Sequence, residues 1–287
     1  MGLQCRCGTS RSRDYGRCSC RPLWGWRIMA NPLVPGLLRD HLSELAERDE
    51  RVDGRGQWDG RELTIEVNPL PNAEGSAKVT MGDTIVFVGI KFQIQTPYPD
   101  RPNQGGLMTS AELRPVAGRH YEPGPPSPES IEMGRVVDRG IRESGCLDVD
   151  ALCIIPGEKA WQVIIDCFAI SDDGNMFDAF GLAAIVALKN AIVPAERFDV
   201  GEDYPLPISL MPIMCSYHKV GGRFVYDASR EEEVGGDERI HITLGDDGHV
   251  HSLQKGLKGV FTATEFDEIM TAARQRVSEL QEIVNNL

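Results

Sequence analysis

Hydrophobic residues recur at helical spacing in four segments of the chain. Residues 33–49 have this spacing and predict an amphipathic helix. Ser127, Pro128 and Glu129 supply a capping hydroxyl, a first-turn proline and an acid, so a second helix is predicted from there to about residue 143. A third helix is predicted over 177–193, and a capping box at 262–265 begins the fourth.

Alternating or continuously apolar runs between these helices predict β-strands. The segment 97–128 contains many Pro and Gly residues and is predicted to be a long loop, a length that is usually functional. The predicted strands are 63–67, 76–81, 84–94, 152–155, 161–170, 206–218, 223–227, 239–244 and 249–255.

Strands followed by helices occur twice along the chain, which predicts an α+β fold of two sub-domains that meet near residue 200. A composition of 41% hydrophobic and 25% charged residues over 287 positions supplies enough apolar material for such a core. The predicted organisation is a leader (1–28), an N-terminal helix with a connector (29–58), a first half (59–199) and a second half (200–287).

The leader differs in composition from the rest of the chain. It holds six arginines, one aspartate and four of the eight cysteines (Cys5, Cys7, Cys18 and Cys20). Two interpretations are open. The segment is either a small zinc site or a disordered extension that results from a wrongly chosen upstream start codon, with Met29 as the true start. The C-x-C spacing is not that of the usual C-x2-C zinc motif and favours the extension. The segment lacks the apolar region of a signal peptide.

Net charge and hydropathy exclude some classes of protein. No apolar run of about eighteen residues occurs, so no membrane span is expected. The net charge of −13 is unlike that of a free nucleic-acid binder, so any nucleic acid must contact a local basic strip or charges that a partner supplies. Four further cysteines lie in apolar runs and are predicted to be buried free thiols in a reducing cytosol: Cys146, Cys153, Cys167 and Cys215.

Several candidate sites are weak. The chain lacks a phosphate-binding loop of the G-x4-G-K-[ST] type and a G-x-S-x-G nucleophile motif. His249 and His251 share a strand face, but no third ligand is suitably spaced, so surface or partly buried histidines are predicted. The composition of the charged run 230–233 would suit a divalent ion, but a solvated loop is the preferred interpretation.

An arginine stripe on the second predicted helix is the best physical candidate for a binding site. Arg135, Arg139 and Arg142 lie on one helix face, where guanidinium groups would suit phosphate oxygens. The alternative is that Glu132 and Asp138 neutralise them as surface ion pairs. Helical spacing alone leaves both interpretations open.

Residues 51–280 resemble the RNase PH family in several motifs at once. The resemblance implies an RNase PH-type α+β fold, like domain 2 of ribosomal protein S5, with two sub-domains of mixed sheet packed with helices. The motifs are Arg51-Val52-Asp53-Gly54-Arg55 with Arg61-Glu62-Leu63, the segment Ser127 to Arg142, the segment Asp172 to Val193, and the segment Val225 to Glu233.

Active members of that family cleave RNA from its 3′ end with inorganic phosphate as the nucleophile, which requires cationic donors and an acid. The resemblance places Glu129 and Met176 where the family has two phosphate-binding arginines. Of its acid pair, Asp227 is retained and Glu233 replaces an aspartate. The resemblance therefore implies no catalytic residues in this chain, and neither a cofactor nor a metal is expected.

These departures are similar to those of the non-catalytic ring subunit of the archaeal exosome. That likeness implies a catalytic RNase PH-like sister subunit, three heterodimers in a hexameric ring, a trimeric RNA-binding cap and a cytoplasmic location. Single-stranded RNA, rather than DNA or a membrane, would contact Arg135, Arg139 and Arg142. The alternatives are an active phosphorolytic 3′-to-5′ exoribonuclease subunit and a eukaryotic-type ring scaffold with no RNA role.

Overall fold

The structure is a computed structural model that describes residues 33–287, with side chains from residue 36. The predictions for the leader, including its four cysteines and the zinc alternative, lie outside these residues. The described part contains two β-sheets, a two-stranded ribbon and five α-helices. The predicted α+β fold of mixed sheets packed with helices is confirmed.

The first sheet has the strand order β1-β2-β3-β6-β4, with β5 beside β6. All of its pairings are antiparallel except that of β4 with β6. The prediction of one long loop over 97–128 is wrong, because it contains β4; the strand includes Gly106, Thr109 and Ser110, which obscure its pattern. The strands are β1 Leu63–Val67, β2 Gly75–Met81, β3 Thr84–Gln95, β4 Gly106–Glu112, β5 Cys153–Ile155 and β6 Lys159–Ser171.

The second sheet is antiparallel, with the order β10-β9-β11-β12. The predicted strand 206–218 begins too early, since Pro207 and Pro212 interrupt its first part. A 3₁₀ helix at Glu196–Phe198 lies between the two strands of the ribbon, β7 and β8. The strands are β7 Ile192–Val193, β8 Tyr204–Pro205, β9 Ile213–Val220, β10 Arg223–Tyr226, β11 Glu238–Leu244 and β12 Val250–Leu257.

The helix starts follow the predicted caps. Ser127 accepts a hydrogen bond from the Ser130 amide (3.1 Å), and Thr262 and Glu265 form the predicted capping box. The third helix ends at Lys189, four residues before the predicted end, where Asn190 caps it. The helices are α1 Leu33–Ala46, α2 Pro128–Ser144, α3 Met176–Lys189, α4 Arg230–Gly235 and α5 Ala263–Asn285.

The short helix α4 replaces the solvated loop predicted for 230–233, so that prediction is wrong. Ser229 and Glu232 form a capping box in which each side chain bonds the other residue's backbone amide. Glu232 is buried rather than solvated. The sequence suggested only a charge run, because α4 is too short to display a helical repeat.

Helix α3 lies between the two sheets and joins them. It packs against β2 and β3 on one side and against β9 on the other, and its residues 176–188 are all buried. Helix α2 packs on β4 and also contacts β12. These contacts bring the N-terminal ends of α2, α3 and α4 close together, where the candidate site lies.

The four cysteines of the described residues are free thiols. Cys146, Cys167 and Cys215 are buried as predicted, and burial raises the pKa of the Cys146 thiol above its usual value. Cys153 is only partly buried, so the prediction for that residue is wrong. None of the helices in residues 33–287 has the length and apolar character needed to cross a bilayer.

Candidate functional site

Three helix starts surround one guanidinium group. Arg230, the first residue of α4, lies 3.2 Å from a Glu233 oxygen and 3.7 Å from oxygens of Glu129 and Asp172. It also donates a hydrogen bond to Nε2 of His120 at 2.9 Å. We call Glu129, Asp172, Arg230 and Glu233 the acid pocket. Its single arginine already faces three carboxylates.

The start of α3 carries a carboxylate of the chain itself. The backbone amide of Asn175 donates to Oε1 of Glu233 at 2.8 Å. A free amide at a helix start is a common binding site for phosphate, because the helix dipole favours negative charge there. Met176 is buried, with 1% of its surface exposed, and has no donor to offer an anion. Glu233 therefore occupies the place that an anion would take.

The acidic surroundings also affect the titration of Glu233. Burial raises its pKa to about 7, although the Asn175 amide and the Arg230 guanidinium act in the opposite direction. The carboxylates of Glu129 and Asp172 lie around the same arginine, so a protonated Glu233 reduces the repulsion among the three acids. A phosphate ion in the acid pocket would meet Glu129 and Asp172 as well, so the electrostatics oppose its binding.

Asp227, the acid retained from the family pattern, is fully engaged by the chain itself. It is completely buried and has a positive φ of 50°. Its oxygens lie 2.9 Å from Arg55, 2.7 Å from Arg61 and 2.9 Å from the Asn175 side-chain amide. Burial raises its pKa, but the hydrogen bond and charge of Arg61 outweigh burial and hold the pKa below its usual value. This carboxylate is structural, since its oxygens are enclosed by these donors.

A second buried ion pair lies beside Asp227. Arg51 binds both oxygens of Glu232 at 2.9 and 2.7 Å and donates to the carbonyl oxygens of Tyr226 and Asp227. Arg51, Arg55 and Arg61 belong to the motifs of the family resemblance, but the sequence does not indicate which residues they pair with. The sequence signal for this pairing is that three arginines lie close together in a polar connector and several acids lie within 227–233 in the second half.

The arginine stripe lies on the outer face of α2. Arg135 is exposed and has no hydrogen bond or ion pair within the described part of the chain. Arg139 is also exposed and donates to Oε1 of Gln254 on β12 at 2.7 Å. Arg142 lies 2.9 Å from Asp138 and donates to the Leu107 carbonyl oxygen, and the Asp138 hydrogen bond raises its pKa.

The acids proposed to neutralise the stripe behave differently from one another. Asp138 pairs with Arg142, whereas Glu132 lies 2.5 Å from Arg239 on β11. Gln254 donates to Glu132 and accepts from Arg139, so it stands between the acid and the stripe. Of the two acids, Asp138 therefore neutralises an arginine of the stripe, namely Arg142. The guanidinium groups of Arg135 and Arg139 lack a carboxylate partner among residues 33–287 and remain suited to phosphate oxygens.

The two candidate metal sites do not form clusters. His249 is exposed and His251 is partly buried, as predicted, and the latter lies 3.1 Å from Asp247. Across residues 33–287, no group of three or more His, Cys, Asp or Glu residues is arranged to hold a metal ion. Two acids of α4 are engaged instead by arginines: Glu232 pairs with Arg51 and Glu233 with Arg230.

Comparisons with known proteins identify close relatives of this chain. The exosome complex component Rrp42 of Archaeoglobus fulgidus is 44% identical over 254 residues, which is 88% of this chain and 98% of the relative. The protein of the same name from Methanosarcina acetivorans is 43% identical over 249 residues, covering 87% and 94%. A chain from a structure titled as the Archaeoglobus fulgidus exosome with RNA bound to the active site has a TM-score of 0.84 at 44% identity, covering 87% of this chain and 98% of that one.

Family models match both halves of the chain. Residues 59–194 match domain 1 of the 3′ exoribonuclease family, and residues 211–276 match domain 2 of the same family. Together these matches cover more than half of the chain, and the relatives are matched over nearly their whole length. The family resemblance inferred from the motifs is confirmed: the chain belongs to the RNase PH, or 3′ exoribonuclease, family.

Proposed function

We propose that this chain is a non-catalytic component of an archaeal exosome, a complex that degrades RNA from the 3′ end. The observation that carries the non-catalytic assignment is the contact between Glu233 and the Asn175 amide, which fills the anion position at the start of α3. Glu129 and Met176 in place of basic residues act in the same direction. The names of the relatives support membership in the complex.

We further propose that the chain pairs with a catalytic RNase PH-like sister in a ring of three heterodimers below a trimeric RNA-binding cap. Val234 and Leu257 are about half exposed and border the same pocket as Arg230 and Glu233. An exposed apolar rim of this kind suits an interface with another subunit. In this arrangement the chain supports the sister's active site instead of forming its own, and the complex acts in the cytoplasm.

The proposed contribution to RNA binding rests on the arginine stripe. Arg135 and Arg139 lie four residues apart, about 6 Å along the helix axis, a spacing comparable to that of successive phosphates in a single strand. Such contacts hold a strand without reading its bases. Arg142 belongs to the same stripe, but the carboxylate of Asp138 offsets its positive charge and weakens its attraction for phosphate. The similar structure of the Archaeoglobus fulgidus exosome, which has RNA bound to the active site, is consistent with this role.

The decisive experiment measures the release of nucleoside diphosphates from RNA in phosphate buffer. The purified chain alone is expected to release none, and the chain assembled with its sister is expected to be active. In that assembly, Glu233→Gln in this chain should leave the rate unchanged, because the reaction occurs in the sister. Phosphate-dependent shortening of RNA by the chain alone, abolished by Glu233→Gln, would instead establish the alternative of an active phosphorolytic subunit.

A further inference from the structure

Arg139 differs from the other arginines of the stripe in the kind of group that holds it. Its guanidinium donates to Oε1 of Gln254 at 2.7 Å, so its partner is a neutral amide. Arg142 is paired instead with the carboxylate of Asp138, and Arg135 has no hydrogen bond or ion pair among residues 33–287. Within the described residues, Arg139 is therefore the arginine of the stripe that is held in place while its charge stays uncompensated.

The orientation of the Gln254 amide is fixed from its other end. Its Nε2 donates to Oε1 of Glu132 at 3.1 Å, and an ionised carboxylate accepts hydrogen bonds but does not donate them. The amide nitrogen therefore faces Glu132, and the amide oxygen faces Arg139. The reversed amide would place an N–H group against the guanidinium and a carbonyl oxygen against the carboxylate, and both of these contacts are repulsive.

Glu132 is in turn anchored to the body of the protein. Its second oxygen lies 2.5 Å from a guanidinium nitrogen of Arg239 on β11. The Arg239 guanidinium lies over the ring of Phe177, 5.1 Å from the centroid, and Phe177 is buried. The backbone of Gln254 is also fixed, since β12 pairs with β11 and places Gln254 opposite His241. A series of polar contacts thus runs from a buried ring to an exposed arginine.

We propose that Gln254 is a positioning residue for RNA binding, which holds the guanidinium of Arg139 in place without neutralising it. An arginine side chain that is already ordered loses less conformational entropy when it binds a phosphate. A carboxylate in place of the amide would also hold Arg139 but would offset its charge, as Asp138 does for Arg142. This role rests on the proposed function of the arginine stripe and adds to it a residue that acts through Arg139.

The test measures the affinity of labelled single-stranded oligoadenylate for the ring assembled with the sister subunit, over a series of salt concentrations. Gln254→Met keeps the length of the side chain but removes the amide. It should weaken binding about threefold to tenfold, with little change in the slope of log affinity against log salt. Arg139→Ala should reduce that slope by about 0.7, because a phosphate contact is lost. Gln254→Glu should reduce it by a similar amount, because the new carboxylate offsets the guanidinium charge.

A double-mutant cycle shows whether Gln254 acts through Arg139. Gln254→Met should have no further effect in the Arg139→Ala ring, but it should weaken binding as before in the Arg135→Ala ring. The matched control is Gln275→Met, which removes an exposed glutamine that donates to Glu279 on α5 at 3.1 Å. This control should leave RNA binding unchanged. Size-exclusion chromatography verifies that each variant ring assembles.

The outcomes separate this role from the function on which it rests. Unchanged affinity of the Gln254→Met ring, where Arg139→Ala does weaken binding, would overturn the inference and leave the proposed RNA role of the stripe intact. Weakening by Gln254→Met that persists in the Arg139→Ala ring would also overturn it. Should Gln254→Met prevent assembly, a Gln254→Glu ring with an unaltered salt slope would have the same meaning. If Arg139→Ala itself left affinity and slope unaltered, the proposed function would fail at that arginine, and the positioning role with it.

Discussion

The acid pocket and the arginine stripe both combine arginines with nearby acids, yet they use them in opposite ways. In the acid pocket and around Asp227, the guanidinium groups are paired with carboxylates of the chain itself. On α2, Arg135 and Arg139 have no carboxylate partner within the described residues, and Arg139 contacts only an amide. Arginines kept by a family thus serve folding in one region and remain available for a ligand in the other.

The difference also shows how the loss of catalysis that we propose is compatible with a retained site architecture. Asp227 retains an acid of the family pattern, but Arg55, Arg61 and Asn175 enclose it. A retained residue is therefore insufficient to establish activity. What matters is whether its polar atoms are free to contact a substrate, and the oxygen atoms of Asp227 are not.

The largest expected effect follows removal of the Asp227 charge. Asp227→Asn leaves Arg55 and Arg61 without their buried counter-charge and should lower the free energy of unfolding by about 3–5 kcal/mol. Urea unfolding of the isolated chain measures this. Asp138→Asn, which disturbs the partly exposed pair with Arg142, should cost less than about 1 kcal/mol. Similar losses from both variants would remove the distinction between internal and surface pairing.

The next effect is a dependence of stability on pH through Glu233. Because its folded pKa of about 7 exceeds the usual 4.5, the folded chain retains a proton that the unfolded chain loses between these values. The contribution of Glu233 to stability is therefore full below pH 4.5 and declines as the pH rises to 7. Glu233→Gln should stabilise the chain at pH 8, by up to about 3 kcal/mol, and have little effect at pH 4.

Denaturant unfolding of Glu233→Gln at the two pH values tests this sign. Glu231→Gln, an exposed position on the same helix, is the matched control and should show no such pH dependence. A stability change of Glu233→Gln that is the same at both pH values would contradict the raised pKa and the burial that causes it.

A smaller effect is expected from the unpaired arginines. In the ring assembled with its sister, Arg135→Ala/Arg139→Ala should reduce the slope of log affinity against log salt by about 1.4, as two single-strand phosphate contacts are lost. The loss should be alike for RNAs of different sequence. The ring should still assemble, because the apolar face of α2 is untouched.

The control pair for this experiment is Arg48→Ala/Arg197→Ala, since both arginines are exposed and paired with nearby glutamates. It should leave the salt dependence unchanged. An assembled Arg135→Ala/Arg139→Ala ring with unaltered RNA affinity and slope would reduce the stripe to a solvated helix face, and the scaffold alternative without an RNA role would then be favoured.

The smallest effect is expected at Arg142. Arg142→Ala should change the salt slope less than Arg135→Ala does, because Asp138 already neutralises Arg142. Asp138→Asn should release this guanidinium and steepen the slope by up to about 0.7. If Arg142→Ala instead weakened RNA binding as much as Arg135→Ala, pairing within the chain would be a poor guide to which arginines bind RNA.

Periodicity predicted the regular elements well where one pattern extends over several residues. The hairpin around Gly82-Asp83 and helices α2 and α5 are examples, and their caps mark the starts correctly. Strand β4 and helix α4 were missed for different physical reasons. The first has polar and glycine positions in a half-buried strand at the edge of the sheet, and the second has fewer than two turns.

The candidate site was predicted unevenly. Helical spacing placed Arg135, Arg139 and Arg142 on one face, but it was unable to distinguish the paired arginine from the other two. The positions of Glu129 and Met176 followed from the family resemblance. The pairing of Arg61 with Asp227 joins residues separated by 166 positions, so it depends on the tertiary fold and has no local signature.

The burial of residues 176–188 of α3 has a consequence for how the chain acquires its structure. One side of the helix packs against β2 and β3, which precede it, but the other side packs against β9, which follows it in sequence. During synthesis, the first half emerges with an apolar helix face that stays uncovered until residue 220 has left the ribosome. A chain divided near residue 200 should consequently give two insoluble fragments, while the intact chain should unfold in a single cooperative transition.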